Sequence, residues 1–291
     1  MIPKSIIEQW MFSTVRIITT DAFGEKWNAT GFIFGYPVAE GKYIPFLVTN
    51  RHVIENQMSK ELHFITEKDG KTDLKNTITL PVSSLESHWH FHPEKKVDVA
   101  IMPFGRIVEH VKEQDAIIFY RIVNGTFIPL EDDYEELDAL EDILFIGYPE
   151  GLYDTYNNTP IIRKGTTATH PNLDYQGDSK YLIEASVFGG SSGSPVFIVD
   201  NNIHWGKIDR KPQDSRILFM GIVSNKITVK TEGELVTQES KTEKVPQINE
   251  NFHLGIVYKP HTIMEAIESA AKEWDFKPVL EAMKKNEKTS D

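Results

Sequence analysis

Three short motifs, far apart in the chain, carry a histidine, an acid and a serine in that order. They are Asn50-Arg51-His52-Val53, Val97-Asp98-Val99-Ala100 and Gly190-Ser191-Ser192-Gly193-Ser194-Pro195. A serine hydroxyl is a poor nucleophile at neutral pH, so acyl-transfer chemistry needs an imidazole to take its proton and a carboxylate to orient that imidazole. His52, Asp98 and Ser192 fit these roles, so the chain has to fold in a way that lets them meet.

The sequence around each motif suits its role. Phe46-Leu47-Val48-Thr49 is an apolar run that predicts a buried strand, and this strand leads to His52. Asp98 lies in another apolar run, where a carboxylate is costly unless it is hydrogen-bonded or paired. Glycines at 189, 190 and 193 permit a tight loop around Ser192 in which backbone N–H groups can converge, as an oxyanion hole requires.

The order of the three residues is that of chymotrypsin, and not that of subtilisin or the α/β-hydrolases. The chain resembles the trypsin/chymotrypsin superfamily from about Thr14 to about Ile267, and is most similar to its cysteine-free bacterial branch, with the glutamyl endopeptidases and HtrA-like proteases. Further similar motifs are Thr30-Gly31-Phe32-Ile33-Phe34, Ile146-Gly147-Tyr148-Pro149-Glu150-Gly151 and Gly221-Ile222-Val223-Ser224. The last resembles the family's substrate-pairing strand, whose serine lies near the acid.

The resemblance implies an all-β fold of two packed antiparallel six-stranded β-barrels, chymotrypsin-like, with a C-terminal helix. We expect an N-terminal barrel over residues 1–116 with His52 and Asp98, a C-terminal barrel over 117–258 with Ser192, and a C-terminal helix and tail over 259–291. Apolar spacing predicts the helix over Pro260 to Trp274, and the tail from Lys284 is expected to fray. Polar insertions near 201–215 and 230–250 are long for hairpin loops.

The implied function is that of a serine endopeptidase that works through an acyl-enzyme intermediate. Ser192 would attack the carbonyl, His52 would move its proton, Asp98 would orient His52, and the N–H groups of Gly190 and Ser192 would form the oxyanion hole. Two alternatives stay open. One is a peptide-binding pseudoenzyme of the same fold, and the other is a regulatory or defence effector that a partner activates.

By register with the family, the substrate-binding pocket would include Ser186, Val187, Ser224, Asn225 and Lys226. Ser186 stands where trypsin-like enzymes have an aspartate, so a basic substrate side chain would lack a counter-ion. Val223 stands where glutamyl endopeptidases have a histidine. Lys226 either narrows the pocket, attracts an acidic side chain or points to solvent. We expect a small or medium apolar residue at the cleavage position.

A zinc site is the competing interpretation of His88-Trp89-His90-Phe91-His92, because alternation on a strand would place His88, His90 and His92 on one face. Against it, His92-Pro93 resembles a lead-in to the catalytic acid that binds no metal in this family, and the chain has no cysteine. We therefore expect neither a metal nor another cofactor.

Composition limits the partners. The formal net charge of −12, from 31 basic and 43 acidic residues, disfavours nucleic acid as a partner.

The N-terminal segment lacks the apolar stretch of a signal peptide, and no run approaches the roughly 20 apolar residues of a membrane span, so we expect a cytoplasmic location without membrane contact. We expect no PDZ module of the kind that HtrA-like proteases carry, because few residues follow the second barrel. The expected partner is a protein or peptide substrate, with a regulatory partner as an open alternative.

Overall fold

The computed structural model of the protein describes residues 1–55, 57–82, 88–200, 204–205, 212–213, 216–232 and 247–289. At residues 204–205, 212–213, 226–232, 247–252 and 286–289 only the backbone is described. The polar insertions predicted near 201–215 and 230–250 therefore lie largely outside the described residues.

Strands dominate the described architecture. They are β1 (Thr14–Thr20), β2 (Lys26–Ala39), β3 (Lys42–Thr49), β4 (Ser59–Lys68), β5 (Lys71–Pro81), β6 (His90–Phe91), β7 (Ala100–Pro103), β8 (Val123–Asn124), β9 (Asp142–Gly147), β10 (Ile161–Thr167), β11 (Lys180–Glu184), β12 (Pro195–Asp200), β13 (His204–Trp205), β14 (Pro212–Gln213), β15 (Arg216–Glu232) and β16 (Gln247–Tyr258). The helices are α1 (Ile6–Met11), α2 (Arg51–Ile54), α3 (Phe104–Lys112), α4 (Glu131–Glu136), α5 (His261–Glu273) and α6 (Lys277–Thr289).

The strands form two main sheets, which confirms the predicted all-β fold class. The C-terminal sheet is a closed antiparallel barrel in the order β10-β11-β16-β15-β12-β9. The N-terminal sheet has eight strands in place of the expected six, with the order β5-β4-β1-β2-β3-β7-β6 and β8 paired in parallel to β2. Its edge strands β5 and β6 are not paired with each other in the part of the chain that is described. The domain boundaries proposed from the sequence stay a prediction.

Alternate residues of the central strands serve two different cores, which explains why these strands read as continuous apolar runs. In β2, Phe32 and Phe34 face a core shared by both sheets and the C-terminal helices, whereas Ile33 faces the interior of the N-terminal sheet. In β12, Phe197 belongs to the shared core and Val196 to the interior of the C-terminal barrel. The shared core therefore holds the two sheets together.

The C-terminal helix predicted over Pro260 to Trp274 is confirmed as α5, with Ile263, Ile267 and Ala270 fully buried. The chain continues into α6, where the sequence predicts fraying from Lys284. This helix persists because Val279 and Ala282 pack into the shared core. Within the described ranges, no helix combines the length and apolar character needed to cross a bilayer.

Helix α1 docks on the shared core through one aromatic side chain. Trp10 is fully buried, and its ring stacks on Phe197 with centroids 3.7 Å apart and an interplanar angle of 9°. A second contact is edge-to-face with Phe127, at 5.9 Å. Such aromatic pairs stabilise beyond the area that they bury.

Replacement of Trp10 by alanine is expected to lower the free energy of unfolding by about 3–5 kcal/mol, because it opens a cavity in the shared core. Urea unfolding followed by circular dichroism measures the loss. The control is Phe23→Ala, since Phe23 is 93% exposed and its truncation should change stability by no more than about 0.5 kcal/mol. Equal effects of the two replacements would contradict the role of Trp10.

Candidate active site

His52 and Asp98 meet at one edge of the shared core. Helix α2 begins directly after β3 and presents His52, while Asp98 lies in the segment between β6 and β7. The Asp98 carboxylate binds His52 twice, through a 2.6 Å contact between Oδ2 and the ring Nδ1 and a 2.9 Å hydrogen bond from the His52 backbone N–H to Oδ1. This arrangement fixes both the position and the rotation of the imidazole ring.

Ser224, on β15, completes the surroundings of the acid. Its hydroxyl donates to Asp98 Oδ2 at 2.5 Å, and the Asn225 amide donates to the Ser224 hydroxyl at 3.2 Å. On the other side, the buried Asn50 amide donates to the Asp98 backbone carbonyl at 2.7 Å. The carboxylate is thus held by groups from both sheets.

The balance of these contacts keeps Asp98 ionised. Burial by itself raises the pKa of the carboxyl group, but the hydrogen bond and charge of His52 lower it, as do the hydroxyl of Ser224 and the backbone N–H of His52. Together the lowering contributions prevail, so the pKa of Asp98 lies below its ordinary value. A negative charge is therefore available next to His52 at neutral pH.

Ser192 reaches the same strand. Its hydroxyl donates to the Ser224 backbone carbonyl at 2.6 Å, so Ser224 contacts the acid with its side chain and the serine with its backbone. No hydrogen bond between Ser192 and His52 is present in the described residues. Ser192 and Asp98 therefore share Ser224 as a hydrogen-bond partner, and the Ser192 hydroxyl points to the Ser224 carbonyl.

The loop around Ser192 requires glycine at two positions. Gly190 has φ +84° and Gly193 has φ +88°, conformations that L-residues rarely adopt. A Cβ atom at Gly190 would lie 2.2 Å from the Tyr148 carbonyl oxygen, and one at Gly193 would lie 1.7 Å from the Thr30 carbonyl oxygen. Space as well as backbone conformation therefore excludes a side chain at these positions.

Thr30 of β2 ties this loop to the N-terminal sheet. Its hydroxyl donates to the Gly190 carbonyl at 2.8 Å and accepts from the Tyr148 N–H at 3.0 Å, while its own N–H donates to the Ser192 carbonyl at 2.9 Å. The Gly189 carbonyl accepts from the Glu150 N–H at 2.5 Å. Neither the Gly190 N–H nor the Ser192 N–H donates to another described residue.

The residues predicted for the substrate pocket have different surroundings. Ser186 is partly buried, and Asn225 is exposed. Val187 is 2% exposed and packs, like Val223, into the interior of the C-terminal barrel, so these two side chains act as core. The backbone of Lys226 pairs with Gly255, but its side chain lies outside the described residues.

The three histidines near Asp98 do not share a long strand, since β6 spans only His90–Phe91. His90 Nδ1 lies 3.2 Å from a carboxylate oxygen of Glu273, and His92 Nε2 lies 2.9 Å from one of Glu265. Both glutamates belong to α5. Among the residues that the structure describes, no three metal-binding side chains are grouped closely enough to hold an ion.

A family model described as the trypsin-like peptidase domain matches residues 29–203, a span that includes His52, Asp98 and Ser192. The chain belongs to the trypsin-like peptidases. It is thus a serine protease by family, as the resemblance implies. No curated protein matches the sequence.

Solved protease structures are similar to this trypsin-like peptidase at low identity. The HtrA-type protease AlgW with a tripeptide is 12% identical with a TM-score of 0.45, over 90% of this chain and 61% of that chain. Anisep from Arthrobacter nicotinovorans is 11% identical with a TM-score of 0.45, over 91% and 97% of the chains. The Rv3671c protease from M. tuberculosis in its active form is 14% identical with a TM-score of 0.44, over 92% and 87%. Similarity at this level carries no functional argument, and the chain spans less than two thirds of AlgW.

Sequence reasoning missed the residues that hold the site together. Thr30 stands in a motif used for the resemblance, and Asn50 precedes His52 by two positions, yet neither carries a chemical signature of its role. Glu265 is separated from His92 by 173 positions. These residues are recognised only from their side-chain hydrogen bonds in the folded structure, and no sequence pattern marks them.

Replacement of Ser224 by alanine is expected to raise the pKa of Asp98 toward its ordinary value, because a donor to the charged form is lost. Since the folded-state pKa lies below the unfolded one, the stability due to Asp98 is present above the unfolded value and is lost as the pH falls through the folded value. At pH 7 the variant should lose about 1.5–3 kcal/mol of unfolding free energy, and the difference should shrink below about pH 4.

NMR titration of the Asp98 carboxyl carbon and urea unfolding at both pH values measure these effects. The control is Ser59→Ala, since Ser59 is exposed on β4. An unchanged Asp98 titration in the Ser224 variant would contradict the assigned hydrogen bond.

Proposed function

We propose that the protein is an endopeptidase that hydrolyses peptide bonds through a triad of Ser192, His52 and Asp98. The proposal is carried by two observations. Two contacts join Asp98 to His52, and Ser224 contacts both Asp98, with its hydroxyl, and the Ser192 hydroxyl, with its backbone carbonyl. Ser224 thereby links the Ser192 hydroxyl to the His52–Asp98 pair, and acyl transfer needs a nucleophile, a base and an orienting acid together.

In the proposed reaction, the Ser192 hydroxyl oxygen attacks the substrate carbonyl while His52 Nε2 takes its proton. The negative oxygen of the tetrahedral intermediate binds the N–H groups of Gly190 and Ser192. Collapse breaks the C–N bond, the amine leaves with the proton from His52, and the acyl group stays on Ser192 as an ester. Water then attacks the ester with His52 as base, which releases the acid and restores Ser192.

Asp98 stays ionised throughout. Its Oδ2 accepts from His52 Nδ1, which places the unprotonated nitrogen of the neutral ring at Nε2, and its charge stabilises the imidazolium that forms in each half-reaction. The donors on the carboxylate, Ser224 Oγ and the His52 N–H, favour the charged form that this role needs.

A second candidate is a peptidase that is silent until a substrate or partner binds. The observation that favours it is the hydrogen bond from Ser192 Oγ to the Ser224 carbonyl, which has to break before the hydroxyl can donate to His52. Rotation about the Ser192 side chain accomplishes this change. A bound peptide or a regulatory partner that occupies the Ser224 carbonyl would drive the rotation.

Fluorophosphonate labelling of the purified protein tests the triad. Labelling should vanish in Ser192→Ala and persist in Ser59→Ala, and Asp98→Asn should lower turnover of a peptide substrate by about 10⁴ while the fold is retained. Labelling at a serine other than Ser192 would refute the triad. Labelling of Ser192 only after addition of a peptide or cell extract would select the second candidate.

Replacement of Gly190 by alanine should lower kcat by about 10²–10³, because a Cβ atom cannot fit against the Tyr148 carbonyl and the N–H of residue 190 is displaced from the oxyanion. Steady-state kinetics on a peptide substrate measure the loss. The matched control is Gly70→Ala, at φ +73° with no atom within 4 Å of the added Cβ. Normal kcat in the Gly190 variant would contradict the oxyanion role.

For the substrate, we propose intracellular proteins cut after a small or medium apolar residue. The partly buried Ser186 offers no charge to a basic side chain, and the absence of cysteine suits a reducing compartment. A peptide-library cleavage profile tests the preference.

A further inference from the structure

The segment that delivers Asp98 contains no regular secondary structure, so its shape depends on individual hydrogen bonds. It runs from the end of β6 to the start of β7, over residues 92–99. The Arg51 guanidinium donates to the Lys95 carbonyl at 3.3 Å, and the Tyr258 hydroxyl donates to the Lys96 carbonyl at 2.8 Å. These contacts hold the middle of the segment, whereas the start of the segment is held by the contacts of His92.

Every polar group of the buried His92 is engaged. Its N–H donates to the Val99 carbonyl at 3.0 Å, which closes the segment beside Asp98, and its carbonyl accepts from Arg51 at 2.8 Å. Its ring Nδ1 accepts from the Glu94 N–H at 3.1 Å, and its Nε2 meets the Glu265 carboxylate at 2.9 Å. His92 therefore connects the start of the segment to Val99 at its end, to Arg51 and to Glu265.

The tautomer of His92 follows from these bonds. A neutral ring that accepts at Nδ1 carries its proton at Nε2, and this N–H is buried, so it needs an acceptor. Glu265 supplies that acceptor. Without it, the ring has to turn to find a partner, and a turned ring loses the bond from Glu94 and loosens the segment.

Helix α5 holds Glu265 in place. The neighbouring residues Ile263, Ala266 and Ile267 are fully buried in the core that both sheets share. The position of the glutamate is thus set by the same packing that places the sheets, although its side chain is half exposed.

We propose that Glu265 is a positioning residue for the triad, acting on Asp98 through His92. The expected effect on kcat rests on the proposed function, but the structural link from Glu265 through His92 to Asp98 does not. The neighbouring pair of His90 and Glu273 joins the same helix to β6, with contacts of 3.2 Å to Glu273 and 3.3 Å to Ser269. In the described part of the chain no hydrogen bond joins His90 to Asp98, so Glu273 serves as a matched control.

Steady-state kinetics of three variants test the proposal. Glu265→Ala should lower kcat by about tenfold with an unchanged KM, because the triad is misaligned while the substrate cleft is intact. Glu265→Gln should stay near the wild-type value, since its amide oxygen still accepts from His92. Glu273→Ala should also stay near wild type, because helix docking alone does not act on Asp98.

A wild-type kcat in Glu265→Ala would overturn the proposal, as would an equal loss in Glu273→Ala or a failure of Glu265→Gln to restore kcat. An equal melting temperature of the Glu265 and Glu273 alanine variants excludes general loosening of the fold as the cause.

NMR of the His52 Nδ1 proton, recorded in Ser192→Ala protein, reads the same geometry without turnover. Glu265→Ala should move this resonance toward that of a weaker hydrogen bond, and Glu273→Ala should leave it in place. If the wild-type protein cleaves no peptide, the proposed function fails, yet this resonance still supports or refutes the link from Glu265 to Asp98. An unmoved resonance in Glu265→Ala would refute it.

Discussion

The packing of two β-sheets on one shared apolar core brings the separate parts of the candidate site together. His52 follows a strand of the N-terminal sheet, whereas Ser192 and Ser224 belong to the C-terminal barrel. Alternate residues of the central strands enter this core, among them Phe32 from one sheet and Phe219 from the other, whose rings meet edge to face at 5.6 Å. A change in how these faces pack would separate His52 from Ser192.

The buried carboxylate of Asp98 adds a second constraint, because a buried charge needs hydrogen-bond donors. Asp98 has to be satisfied by donors, and these come from α2, which follows a strand of the N-terminal sheet, and from β15 of the C-terminal barrel. These hydrogen bonds therefore connect side chains from the two halves of the fold, just as the shared core connects the two sheets. Stability and the geometry of the candidate site depend on the same contacts, because each donor on the carboxylate also fixes its orientation.

Candidate catalytic residues could be proposed from the sequence because acyl transfer restricts residue types, and because glycines at 190 and 193 mark a loop that only glycine permits. The strands around them could be predicted from their apolar runs. The pairing of the N-terminal sheet could not, since apolar runs show that a strand is buried but not which neighbours it has. Val187 illustrates the same limit, because register with the family predicts it as a pocket residue, whereas its side chain packs into the barrel interior.

Residue chemistry and the resemblance of short motifs to a known family are local properties, and together they sufficed to indicate an all-β trypsin-like peptidase with His52, Asp98 and Ser192 as candidate catalytic groups. The sequence also determined that helix α5 buries one face. The tertiary structure alone decided that Ser192 donates to Ser224 and that Glu265 contacts His92. These contacts join residues distant in the chain, and hydrogen-bond partners at such separations depend on how the sheets and helices pack rather than on any local pattern.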